Sequence, residues 1–501
     1  MLTYHITMHE LTESSLSGKF RISPDKEIHG ELTLAGAKTS LNLHDNNGFS
    51  VRPIPEQSIL GVLYDLKKVT LIRCVLISGA TGNGADNSFH AATLFPHFVL
   101  YGDRHLDPNE KSILGVRLVF DDARALFYDF DAFGVVIDPL PFIEQIAKAN
   151  EPLIHRKVET GPYPQILYFT GKREIFSVDT VLGRISASHS LRRNLGGPDG
   201  VWMKNTIGVS IAFGDPVTFE DCIERTSTLL PYFGLLVGRP QNLLRLTLRT
   251  QPVQQTVDSL EAYWCMRPKR DPEHEGQKPQ PAEVLLDPVG RSEEFSRVLA
   301  HWLSRHDTWR DARSRFFNSF AGQIHYDIDR LVGSANMFDI LPDSAVPPVV
   351  EVSDELKAAK ECSQQMFRAL PRTPERDSVL NALGRIGKSA LKQKIRHRAD
   401  SVVKATGSRL GEINTVTDEA VNCRNHYVHG SDPSFDYNAH SDMVEFFTDA
   451  LEFVFATSDL IEGGWDLKTW SDKGSTMSHP FGRFLVGYRA NLQKLKSLLQ
   501  P

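Results

Sequence analysis

The sequence predicts an α+β multidomain protein, with a β-rich N-terminal domain followed by an all-α helical bundle. Three observations carry this reading. Short runs rich in β-branched and aromatic residues, broken by Gly, Pro, Asn and Asp, fill the first half. A proline-rich, charged stretch, RPKRDPEHEGQKPQPAE at 267–283, interrupts the pattern. From about residue 294 onward, apolar residues recur at three- and four-residue spacing. A chain of 501 residues also calls for two or three domains. The expected division is therefore 1–266, a linker or exposed loop at 267–283, and 284–501.

Taken in order, strand-like runs fall at 29–36, 68–78, 97–102, 115–122, 165–171 and 208–214. A helical pattern follows at 217–238, then further strand-like runs at 243–250 and 259–266. A sheet sandwich or similar α+β unit is the expected outcome. GATGNGAD (79–86) is glycine-rich but lacks the Gly-Lys-Ser/Thr ending of a phosphate loop, so it reads as a hairpin loop. In FDDARALFYDFDAF (120–133), Asp121, Asp122, Asp129 and Asp131 alternate with aromatics. That reads as strands with exposed acids and a turn rather than as a metal site. Helices are expected over 293–320, 323–341, 353–370, 375–386, 389–405, 416–429, 440–462 and 483–499. Trp302 and Trp309 read as core or interface residues. Asp307, Asp311, Asp327 and Asp329 read as helix-surface charges.

The composition excludes several classes. A hydrophobic content of 41% and a charged content of 24% are ordinary for a globular protein. A formal charge of −6 gives no global attraction for nucleic acid, so any RNA contact needs a local basic patch. The five cysteines form no CxxC pair, which argues against a zinc site or a disulfide framework; no metal and no cofactor are expected. The opening MLTYHITMHELTESS has no basic-then-apolar signal. The longest apolar stretch, 229–238, is about half a membrane span. These readings place the chain in a reducing cytoplasm, away from membranes.

The chemistry concentrates in Arg424-Asn425-His426-Tyr427-Val428-His429, followed by Gly430. The bare Arg-x4-His pattern is weak: 34 Arg and 18 His predict about one such pair by chance, and the chain holds two. The other, Arg184 to His189, lies in the β-rich half without helical context and reads as coincidence. Context distinguishes the first. On a helical wheel of 416–429, Val416, Ala420, Cys423 and Tyr427 form an apolar stripe. Asp418, Asn422, Asn425 and His429 form a polar one. Arg424 projects between Val428 and the apolar stripe, where a guanidinium needs an anionic partner or an interface. His429 falls in the last turn, where the helix dipole favours a protonated imidazole, and Gly430 suits the left-handed cap.

RNA cleavage needs a base for the 2′-OH, an acid for the leaving 5′-oxygen and a cation for the phosphorane. His429 suits the base or acid role and Arg424 the phosphate clamp. One histidine per chain points to two motifs facing each other across a homodimer. Upstream, residues 385–409 hold eight basic residues against Asp400. Within them Lys392, Lys394, Arg396 and Arg398 are the candidate RNA contacts.

The R-N-x3-H pattern at 424–429, ending a helix and followed by the helix at 440–462, resembles the HEPN superfamily (higher eukaryotes and prokaryotes nucleotide-binding). Its ribonuclease members act as dimers without metal through an R-x4-H motif with a polar residue after the arginine. Asn425 meets that preference. At the other end, Gly18-Lys19-Phe20, Pro24 and GELTLAGAKTSLNLH at 30–44 resemble the opening of ApeA-type anti-phage proteins, in which a β-rich region precedes a HEPN domain. The resemblance implies an abortive-infection endoribonuclease with Arg424, Asn425 and His429 as catalytic residues. It also implies host RNA, with transfer RNA as a target. Such an enzyme would poison its own cell unless restrained, so a phage-derived trigger, such as a protein, is expected to act through residues 1–266. Two alternatives stay open: a non-catalytic HEPN-like dimerisation scaffold with a ligand-binding β-rich domain, and a carbohydrate-binding sandwich with an unrelated helical tail.

Overall fold

The computed structural model describes residues 15–46, 49, 58–83, 88–194, 196, 198, 200–252, 259–270, 277–348, 353–387 and 389–500. The chain divides into two compact units. The first comprises 1–270 with 279–296, and the second 271–278 with 297–501.

The strands of the first unit are β1 (Ser15–Ser23), β2 (Lys26–Thr33), β3 (Ser40–Asp45), β4 (Ile59–Leu63), β5 (Lys68–Asn83), β6 (Ser88–Gly102) and β7 (Ile113–Phe120). They continue with β8 (Phe133–Val135), β9 (Leu167–Phe169), β10 (Glu174–Thr180), β11 (Gly183–Asn194), β12 (Trp202–Val217), β13 (Leu243–Thr250) and β14 (Ser259–Trp264). All but β8 and β9 form one antiparallel sheet in the order β10-β11-β12-β7-β13-β14-β6-β3-β2-β1-β4-β5. The far end closes, because β5 also pairs with β6. Six strands therefore form a barrel, so the expected α+β unit is present as a barrel with an open sheet and not as a sandwich. Strand length explains the difference. One edge of β6 pairs with β3 around His90–Leu94 and with β14 around Phe98–Tyr101, while its other edge runs along β5. A 15-residue strand is long enough to belong to the barrel and to the open sheet at once.

Alternation along the strands fills the barrel with Phe20, Leu32, Leu41, Leu43, Val69, Leu71, Leu94 and Val99, all buried. Phe20 sets the local packing. It stands opposite Ile28 on β2 and Gly61 on β4. A Cβ on Gly61 would lie 2.6 Å from the Phe20 ring, so the large ring requires the missing side chain.

The glycine-rich stretch continues the β5–β6 pairing as far as Asn83 and Ser88, as a hairpin requires; its tip, 84–87, lies outside the described residues. The acidic stretch departs from the strand expectation. It forms α1 (Ala123–Leu126), a 3-10 turn at Phe130–Ala132 and the short β8. Asp122 accepts from Arg239 Nε at 2.8 Å, and Asp121 pairs with Arg270 at 2.7 Å. These acids turn inward because arginines meet them there. Helix α2 (Leu140–Ile154), which the pattern did not predict, has no buried residue. Helix α3 (Phe219–Val237) opens on a Thr218–Asp221 capping box and closes on left-handed Gly238.

The helices that follow are α4 (Ser292–Ser304), α5 (His306–Phe320), α6 (Ile328–Asp339), α7 (Asp354–Ala369), α8 (Pro374–Arg385), α9 (Leu391–Thr406), α10 (Ile413–His429), α11 (Ser441–Glu462), α12 (Leu467–Ser471) and α13 (Pro480–Leu499). The expected single helix at 293–320 is two, broken at Arg305. Asp327 is the N-cap of α6 and accepts from Arg330 N at 2.7 Å, so it is more than a surface charge. Helix α11 is buried almost all round, from Met443 to Leu460, and is the spine against which α5, α6, α9, α10 and α13 pack. Charge is buried with it. Arg313 donates to both Asp459 oxygens at 2.9 and 3.0 Å, with its guanidinium over Trp302 and Trp309. No described helix is long and apolar enough to cross a membrane.

Candidate active site

Helix α10 carries the Arg-x4-His motif at its C-terminal end. Its buried face, including Val416, Ala420 and Cys423, packs against α6, α9 and α11. Gly430 ends the helix at φ 69°, and its N–H bonds the His426 carbonyl at 2.9 Å. His426 Nδ1 is spent on the Ser431 carbonyl at 2.8 Å, which holds the exit loop.

Arg424 is the centre of the site. Nη1 donates to Asn425 Oδ1 at 3.0 Å and contacts His429 Nε2 at 2.9 Å. Nη2 donates to Asn336 Oδ1 on α6 at 3.0 Å. A guanidinium has no acceptor, so Nε2 must accept, which puts the imidazole proton on Nδ1. The wheel called for an anionic partner or an interface. Among the described residues, its side-chain partners are two asparagines and a histidine and no carboxylate, and its buried Nε has no partner. The charge is therefore oriented by neutral acceptors and remains available to an anion.

The motif opens on a cleft of about 1140 Å³. Arg424, Asn425 and His429 line one side, Lys392 and Lys394 of α9 another, and the chain after α6 a third. Lys392 Nζ is held by Asn422 Oδ1 at 2.6 Å. Asn422 in turn donates to buried Glu419 at 2.7 Å, and Glu419 also accepts from the Tyr437 hydroxyl at 2.7 Å. This relay fixes a lysine at the cleft from a carboxylate inside the bundle.

Of the four candidate RNA contacts, Lys392 and Lys394 reach the cleft, while Arg396 and Arg398 do not line it. Arg396 is exposed and forks onto Asp418 at 2.9 and 3.1 Å. Arg398 is a correction. It is 3% exposed, bonds Ser458 at 2.9 Å and Glu462, and stacks over Trp309. Spacing explains it: residue 398 falls on the buried face of α9 with Ile395, Ala399 and Val402. Its charge neutralises the interior of the bundle and does not meet solvent.

Asn336 was not singled out by sequence reasoning. The available signal was a poor helix former embedded between buried Ala335 and Met337. The second Arg-x4-His pair is not a site of the same kind. Arg184 bonds Ser177, and His189 is buried against Asn205 on a strand. Among the described residues, no group of three or more His, Cys, Asp or Glu is placed to hold a metal ion.

Comparison with known families gives two matches. The family described as ApeA N-terminal domain 1 matches residues 15–302. The family described as Apea-like HEPN matches residues 332–469. No curated protein and no solved structure gives a match.

Proposed function

The chain belongs to the ApeA family, with an ApeA-like HEPN domain at its C-terminus and the nuclease-type anti-phage role that goes with it, and from this premise we propose a metal-independent endoribonuclease that cleaves host RNA, transfer RNA included. The observation that carries the reading is Arg424, bonded at once to Asn425, His429 and Asn336 at the edge of an open cleft.

The chemistry follows from those groups. An RNA phosphate takes the Arg424 guanidinium in place of the imidazole, because a bidentate charged pair outcompetes a neutral acceptor. That frees His429 Nε2. The imidazole removes the 2′-OH proton, the 2′-oxygen attacks phosphorus, and the P–O5′ bond breaks with protonation of the leaving oxygen. The products are a 2′,3′-cyclic phosphate and a 5′-hydroxyl. Arg424 and Lys392 stabilise the charge on the phosphorane. The acid for the leaving oxygen is assigned to His429 of a second copy of the chain, in a two-fold homodimer with the α10 ends facing across the axis.

The β-rich N-terminal domain is assigned the sensing role: it binds a phage-derived protein and shifts the helical domain toward its active arrangement. Such a trigger acts only through unequal affinity for the two states. The test is the nature of the ends. RNA cut by the protein should carry 2′,3′-cyclic phosphate or 3′-phosphate, and Arg424→Ala should lower the rate by about 10²-fold or more. Products with 3′-hydroxyl ends would overturn the mechanism.

A further inference from the structure

We propose that Asp339 reads the Watson–Crick edge of a guanine next to the scissile phosphate, so that the cleft selects RNA by base as well as by backbone. The proposal rests on the ribonuclease reading above.

The cleft, about 1140 Å³, is larger than a phosphate needs and reaches the upper range of small-molecule sites, so a base fits beside the backbone. Its charged lining is of two kinds. Lys392, Arg424 and His429 suit phosphate. Asp339 and Asp343 do the opposite: both are exposed, and their carboxylates repel a polyanion. RNA supplies donors only from its sugar hydroxyls and its bases. Guanine presents N1–H and N2–H side by side, which match the two oxygens of one carboxylate. Adenine and cytosine present an amino group beside a ring acceptor, and uracil an N–H between two carbonyls. Unpaired RNA is read on these edges, and carboxylates accept from base amino groups.

Position supports the assignment. Asn336 and Asp339 are three residues apart on α6 and share a face. Asn336 holds Arg424, so Asp339 lies one turn along from the phosphate clamp. Lys394 Nζ donates to the Asp339 carbonyl at 2.7 Å and fixes the backbone there. Among the described residues, the Asp339 carboxylate itself makes no hydrogen bond or ion pair. Val346, half-buried in the same wall, offers apolar surface to the face of a base.

The experiment is fluorescence anisotropy on the full chain with labelled 2′-O-methyl tetranucleotides, which resist cleavage and differ at one position. The guanine form should bind about tenfold tighter than the other three, the low end of what a bidentate base contact provides. Asp339→Asn should weaken the guanine form alone and bring all four within about twofold. Equal binding of the four by the wild type, a guanine preference that survives in Asp339→Asn, or a uniform loss across all four would each overturn the assignment. Guanosine monophosphate binding as tightly as the tetranucleotide would make the cleft a nucleotide pocket and overturn it too. Binding of none of the oligonucleotides would remove the RNA reading itself, an outcome distinct from equal binding.

Discussion

Asn336→Asp should damage the enzyme more than Asn336→Ala, although it is the more conservative change in shape. Asn336 Oδ1 sits 3.0 Å from Arg424 Nη2, and both side chains are partly exposed. Alanine removes one neutral acceptor from a charged donor, a loss of about 1.5 kcal/mol, or roughly tenfold in kcat/KM if Arg424 then wanders. Aspartate keeps the contact but places a negative charge beside the guanidinium that must receive phosphate. Two like charges about 4 Å apart repel by about 1 kcal/mol in bulk water and about 4 kcal/mol near a protein surface. Taking about 2 kcal/mol, the loss is on the order of thirtyfold. Stability should barely change, since an exposed ion pair contributes about 0–1 kcal/mol. The assay is kcat/KM on one oligoribonucleotide alongside thermal unfolding. Asn336→Asp as active as the wild type, or more active than Asn336→Ala, would refute the idea that Arg424 is kept open for an anion.

Other outcomes follow from the same structure. Arg313→Met takes two charged donors from buried Asp459 and leaves it Arg305 at 2.6 Å, so it should destabilise the protein by about 1.5–3 kcal/mol; a denaturant midpoint within error of the wild type would contradict it. Burial first, then the charge of Glu452, pushes Asp449 up to about 7, against Arg330, Tyr326 and Arg483, which favour its ionised form. A carboxyl raised above its ordinary 3.8 favours the folded state when protonated, so this contribution is present below about pH 4 and lost as pH rises through 7. Asp449→Asn should flatten that decline in urea midpoints measured from pH 4 to 8, and an unchanged slope would refute it. Residues 284–501 expressed alone should be more toxic to cells than the full chain, with toxicity abolished by His429→Ala. A folded, dimeric and harmless fragment would assign the N-terminal domain to activity rather than restraint.

Local pattern revealed the elements and missed how they close. The β13 run at 243–250 was legible because its alternation lies within one segment. The barrel was not, since it depends on β6 pairing with β3, β5 and β14 at once, which no window of sequence contains. The α4–α5 break at Arg305 carries neither glycine nor proline, so periodicity ran straight through it. In the candidate site, Arg424, Asn425 and His429 share one helix end, so spacing alone brings them into reach. Asn336 comes from another helix, 88 residues away, and only packing brings it to Arg424. Arg398 misled because a run of basic residues reads as a solvated face, while one of its members points into the bundle to meet Glu462.

The most direct test of the account is cleavage of total cellular RNA in the presence of EDTA, comparing the wild type with His429→Ala. The wild type should cleave undiminished in chelator, and His429→Ala should lose on the order of 10²-fold or more in rate. Activity that vanishes in EDTA and returns with magnesium, or that survives unchanged in His429→Ala, would contradict it.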